Sequence, residues 1–150
     1  MQLIKNQQLV NDQWLRLSDD DALVTGNIIV SLNRWQQDKS ELVKRDGAVG
    51  VKLAPADDVA SIANDLAHWQ LVELYFPDFA DGRLFSTAWL LRERYGFKGE
   101  IRATGQFMPD QAFYLARVGV DAFQPANSAV LSGTLACLAD FSVNYQVSVN

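Results

Sequence analysis

The spacing of apolar and polar positions changes repeatedly along this chain, and each change predicts an element. Residues 2–17 alternate loosely, with Leu3, Leu9, Val10, Trp14, Leu15 and Leu17 as apolar members and Asn6-Gln7 and Asn11-Asp12 as turn candidates. That reads as a strand pair or hairpin covering an edge. Asp19-Asp20-Asp21 makes an acidic break. The β-branched run Ile28-Ile29-Val30-Ser31-Leu32 then has the composition and length of a buried strand, followed by a polar helix over about 34–45. Further strands are predicted near 48–53, 71–76, 99–104 and 121–124. Between and after them the apolar stripes predict helices near 57–69, 84–95, 109–118 and 128–139. Gly96 and Gly119 are placed to end helices in a left-handed conformation, and Pro109 to open one. The tail 144–150 reads as a frayed end or one more edge strand.

Strands that alternate with helices at this spacing predict an α/β protein with right-handed crossovers. The expected architecture is a mostly parallel sheet of about five strands with helices packed on it and the N-terminal strand pair at the edge. An open doubly wound sheet and a partial barrel both satisfy the pattern. No linker-like stretch interrupts the chain, so residues 1–150 read as a single α/β domain with 1–25 as an N-terminal strand arm. With 49% hydrophobic and 21% charged residues, 150 residues can bury a core without metals or disulfides.

Charge and rare residues narrow the chemistry. A net charge of −5 argues against broad binding to nucleic acid or anionic lipid. The polar opening stretch lacks the apolar run of a signal peptide, and no segment has membrane-spanning length, so the expected location is the cytoplasm. One cysteine, Cys137, precludes an internal disulfide, and no cysteine–histidine spacing suggests a metal site. Cys137 lies in an apolar helix and reads as a core side chain. His68, the only histidine, sits at a helix end and reads as a surface or capping residue. One cysteine and one histidine cannot by themselves hold an iron–sulfur cluster or a siroheme. No residue set identifies a catalytic group or a cofactor.

Two observations point to a ligand or partner site. First, Asp78, Asp81, Gly82, Arg83 and Ser86 fall just beyond the carboxyl end of the strand over 71–76, at the start of a helix. Parallel α/β sheets place ligands there, and an arginine fork can grip an oxyanion. The same residues also satisfy a structural reading, with Asp81 as helix cap and Gly82 as turn residue. Second, strand alternation places Glu73 and Tyr75 on one face, and Glu100, Arg102 and Thr104 on one face of the next strand. Charges inside a parallel strand must pair or line a cavity, so Arg102 joins the candidate set. Arg92, Arg94 and Arg117 are further anion-ligand candidates, one of the first two being a surface charge. Phe79, Phe97 and Phe107 fall in predicted loops, where an exposed aromatic could anchor a partner or cover a ligand.

The stretch from about Gly50 to Gln146 carries Gly50-Val-Lys-Leu53, Phe76-Pro-x-Phe-x-Asp-Gly-Arg-x-x-Ser86, Leu90-Leu-Arg-x-Arg-x-Gly96 and Lys98-Gly-Glu-x-Arg-Ala103. Gly105, Asp110-Gln111, Ala116-Arg117, Gly119, Asp121-Ala-Phe123 and Phe141-Ser-x-x-Tyr-Gln146 follow. Through these residues the chain resembles the bacterial domain-of-unknown-function family 934, with residues 1–25 matching least. The resemblance implies an oxidoreductase-associated or accessory role in sulfite reduction, within sulfur assimilation, and it implies no site. Three readings stand: an accessory protein that docks on a larger enzyme such as sulfite reductase or carries an anionic ligand; a small enzyme acting on an oxyanion or phosphorylated substrate through Asp and Arg residues at strand ends; and a purely structural interaction module. A homodimer is the commonest assembly for such a chain.

Overall fold

The computed structural model describes residues 1–139; the predicted tail 144–150 lies outside them. Eight strands form one sheet: β1 (Gln2–Lys5), β2 (Gln8–Asn11), β3 (Leu15–Arg16), β4 (Ile28–Ser31), β5 (Val49–Leu53), β6 (Leu71–Phe76), β7 (Glu100–Gly105) and β8 (Ala122–Pro125). Their spatial order is β2-β1-β8-β7-β6-β5-β4-β3. Neighbours from β3 to β8 pair in parallel, whereas β1 pairs antiparallel with both β2 and β8. The sheet is therefore mixed and eight-stranded, which corrects the expectation of a mostly parallel sheet of about five strands. The five predicted strands are β4 to β8. What the reading lacked was β3 at one edge, two residues long and too short to show a period; the β1–β2 hairpin at the other edge is the predicted N-terminal strand pair. Asn6 and Gln7, both at positive φ, turn that hairpin.

The parallel strands follow chain order without a reversal, so there is no doubly wound switch point. The sheet curls into a half-barrel. Its curvature follows from chain length. Eight flat strands would span ~33 Å edge to edge at ~4.8 Å each. Yet only Asp12–Trp14 connects β2 at one edge to β3 at the other, a reach of at most ~14 Å.

The helices are α1 (Leu32–Gln37), α2 (Lys39–Lys44), α3 (Val59–Ile62), α4 (Arg83–Trp89), α5 (Gln111–Arg117) and a last helix over residues 131–139. Three predicted helices are interrupted. The 34–45 helix breaks at Asp38, which caps the end of α1 and whose carboxylate binds the Arg34 guanidinium. The 57–69 helix becomes a 3₁₀ helix from Ala63 to His68, and α4 widens into a π turn over Leu90–Arg94.

All helices bury their apolar side against one face of the sheet. Val30, Val51, Leu53, Leu74, Phe76, Ile101, Ala103 and Phe123 from the strands meet Trp35, Leu42, Ile62, Leu84, Leu91 and Leu115 from the helices. Phe97 and Phe107 are also buried in this core, so of the three loop aromatics only Phe79 is exposed. The opposite, concave face carries the other strand residues, and these are largely polar.

Candidate functional site

Register places the concave-face residues in rows. Lys52 stands beside Glu73 and Glu73 beside Arg102; one row nearer the carboxyl ends, Tyr75 stands beside Thr104 and Thr104 beside Gln124. Glu73 and Arg102 thus share a face, as alternation requires, and each finds an opposite charge. Glu73 accepts from Arg16 of β3 at 2.7 Å. Arg102, 2% exposed, donates to Asp12 at 3.0 Å and to Glu100 at 2.8 Å. Lys5 reaches Glu100 at 3.0 Å, and Arg16 also reaches Asp12 and the Gln124 amide oxygen. Three cations thus meet three carboxylates, and the cluster is neutral. Arg16 and Gln124 touch although five strand positions separate β3 from β8, which only a curled sheet allows.

Asp12 is the hinge of this cluster. Burial pushes its carboxyl up, but the Trp14 amide, Arg102 and Arg16 together outweigh that and hold it below the ordinary range. Beside it, Leu3, Lys5, Trp14, Asn27, Glu100 and Arg102 line an open pocket of ≈ 500 Å³ at the amino ends of the parallel strands.

The opposite mouth, at the carboxyl ends, is built differently. The Lys52 ammonium lies 4.5 Å from the centre of the Tyr75 ring. Thr104 is buried, and its hydroxyl has no hydrogen-bond partner among the described residues. At the same mouth, Asp19 accepts from Ser31 at 2.5 Å and from Asn33 at 3.3 Å. These contacts, with the Arg34 charge and then the Lys52 charge nearby, keep its carboxyl below the ordinary range.

The candidate loop lies where the sequence placed it, beyond β6. Asp78 is exposed, and its carboxylate accepts from the Ala80 amide. Asp81 accepts from the Arg83 amide at 3.0 Å and from its guanidinium at 2.7 Å, and that bonding holds its carboxyl down to about 2. Gly82 is the residue before α4 and has open space around it; Ser86 is exposed one turn later. Arg83, mostly solvated, is therefore engaged by Asp81; the residue at the helix N-cap is Gly82 and not Asp81, because α4 starts at Arg83. Arg102 belongs to the buried cluster instead and does not join this loop.

Gln111 organises the surface beside it. Its side-chain amide donates to the Phe79 carbonyl at 2.9 Å, while its oxygen accepts from the Met108 amide at 2.8 Å. Phe79 and Met108, 54% and 47% exposed, are held on adjoining loops by one side chain. Of the other arginines, Arg92 serves structure, donating to the carbonyls of Phe97, Gly99 and Gly119, and Arg94 is exposed. Arg117 lies over the Phe113 ring. His68 is exposed at the end of its 3₁₀ helix, and Cys137 is half-buried.

Sequence reasoning missed Lys5, Asp12, Arg16, Lys52 and Gln124. Lys52 carried the same signal as Glu73 and Arg102, a charge inside an apolar strand. Asp12 and Arg16 carried none, because they enter the site through a turn and a two-residue strand.

An α/β half-barrel with helices on its convex face and an ion cluster in its concavity defines the class of protein. The chain belongs to the family described as bacterial proteins of unknown function, DUF934, whose model matches residues 50–150. No curated protein matches it. Among the described residues no helix is long and apolar enough to cross a membrane, and no group of three or more His, Cys, Asp or Glu side chains is arranged to hold a metal ion.

Proposed function

We propose that this protein is an accessory protein of sulfite reduction that docks on a larger enzyme through the carboxyl-end loops bearing Asp78, Asp81, Gly82, Arg83 and Ser86. The observation that carries the docking is the Gln111 brace, which ties the backbones of Phe79 and Met108 while both side chains stay exposed, on loops one of which also carries the Asp81–Arg83 pair. An apolar centre with a charged rim is the composition of a docking patch. The pathway rests on the family resemblance. An accessory role rather than independent catalysis is supported by the saturation of the concave cluster, where each of the carboxylates Asp12, Glu73 and Glu100 is already paired with a cation.

Deletion of the gene slows growth on sulfate as sole sulfur source, and sulfide restores it. Tagged protein cross-linked in sulfate-grown cells recovers an enzyme of sulfite reduction, and Phe79→Asp abolishes the recovery with an unchanged circular dichroism spectrum. Equal growth of the deletion strain on sulfate and sulfide, or cross-linking indifferent to Phe79→Asp, overturns the reading.

A further inference from the structure

The two ends of the concave face differ in how their polar groups are used. Toward the amino ends, every charge of the cluster has a partner, and the cluster sums to zero. On the carboxyl side of the cluster Gln124 is bound by Arg16, whereas two polar groups, the Lys52 ammonium and the Thr104 hydroxyl, have neither an ion pair nor a hydrogen bond among the described residues. Among the described residues, Lys52 has no carboxylate within 4.0 Å, although Glu73 is its neighbour in register. Arg16 occupies Glu73, and the Lys52 ammonium turns instead over Tyr75. Asp19, which feels the Lys52 charge, is held by Ser31 and Asn33 outside ion-pair distance. The Thr104 hydroxyl stands beside Tyr75, buried and without a partner among the described residues. A buried hydroxyl in that condition calls for a partner that arrives from elsewhere.

The geometry points to Lys52, Tyr75 and Thr104 as the binding site of a small oxyanion at the carboxyl mouth of the half-barrel. The ammonium supplies the charge, and the phenol and the threonine hydroxyl supply neutral donors on adjacent strands. Those are the groups an oxyanion with several acceptor oxygens requires. The carboxyl mouth is also the end at which parallel α/β barrels hold their ligands. The cluster beneath is neutral, and Lys52 is a cation of this face without an ion-pair partner among the described residues. This inference deepens the accessory reading by giving the protein a small anionic ligand, and it does not depend on which enzyme the loops dock against.

The test is titration calorimetry of the full chain with sodium sulfite, sulfate and phosphate at constant ionic strength, with chloride as the control. At least one of the three oxyanions binds saturably, one per chain. Thr104→Val and Lys52→Met each weaken it by about tenfold or more, and Tyr75→Phe weakens it while keeping the ring under Lys52. Removing an exposed cation of α2, Lys44→Ala, leaves it unchanged. Without anion, Thr104→Val raises the melting temperature, since a methyl replaces the unpartnered hydroxyl. A structural role for Thr104 predicts the reverse. Absence of saturable binding to all three, or binding indifferent to Lys52→Met and Thr104→Val, overturns the site. Either result leaves the growth and cross-linking experiments to decide the docking reading separately.

Discussion

Arg102 shows how a charge is made acceptable inside this protein. Its guanidinium is almost fully buried, a state that costs several kcal/mol unless paired, and two carboxylates meet it, Glu100 from its own strand and Asp12 from the arm. Substituting Asp12→Asn removes the partner that also holds Arg16, and is expected to cost about 3 kcal/mol in urea unfolding. The pH dependence carries the same signature. The folded Asp12 carboxyl titrates below its ordinary value of 3.8, so its contribution is complete above that value and is lost as the pH falls through the depressed one. The Asp12→Asn variant therefore loses less stability than the wild type on acidification below pH 3.8; parallel acid-unfolding curves would show that Asp12 contributes nothing through its charge. Trp35 and Trp69 follow a different logic. Both indole N–H groups are buried without a hydrogen-bond partner among the described residues, and the rings meet edge to face with centres 5.6 Å apart.

At the scale of elements, the turns at the amino ends of the parallel strands depend on one side chain. Arg92, in the π turn that ends α4, donates to the carbonyls of Phe97, Gly99 and Gly119, and so ties the approach to β7 to the approach to β8. Gly119 sits at φ +112, and a Cβ there would strike the Arg92 side chain, so glycine serves both the turn and the close approach. Lysine carries the charge but not the fork. Arg92→Lys is expected to lose about 2 kcal/mol and to speed amide exchange at Gly99 and Gly119; unchanged exchange at both would show that the turns hold without it. The strand periods were legible because β4 to β8 each bury an apolar row against the helices. The interruptions of the helices were not legible, since a 3₁₀ or π turn keeps nearly the same apolar stripe as an α-helix over so few residues.

At the scale of the molecule, the N-terminal arm completes both the sheet and the concave face. β1 covers the β8 edge and supplies Leu3 and Ile4, both fully buried, while Asp12 and Arg16 neutralise the cluster. The family match begins only at residue 50, yet the fold of the matched part rests on the residues before it. A chain of residues 18–150 is expected to lose cooperative thermal unfolding and to aggregate through the bared β8 edge. A sharp melting transition in that chain would show the arm to be dispensable.

By itself the sequence determined the alternation of strands and helices, five of the six strands of the parallel run and the shared face of Glu73 and Arg102, because these follow from periods of two and of about 3.6 that adjacent residues display. It also placed the Asp78–Ser86 loop at a strand's carboxyl end, through Pro77 and the helix start that follows. Tertiary structure alone decided that the sheet is mixed and curled, that the arm divides between its two edges, and that Arg16 and Asp12 meet charges 57 and 90 residues away. It also decided that Arg83 turns back on Asp81 while Lys52 and Thr104 stand uncommitted. A pairing across strands leaves no trace in local periodicity, because the partner of a buried charge is chosen by the curvature of the sheet that brings the two together.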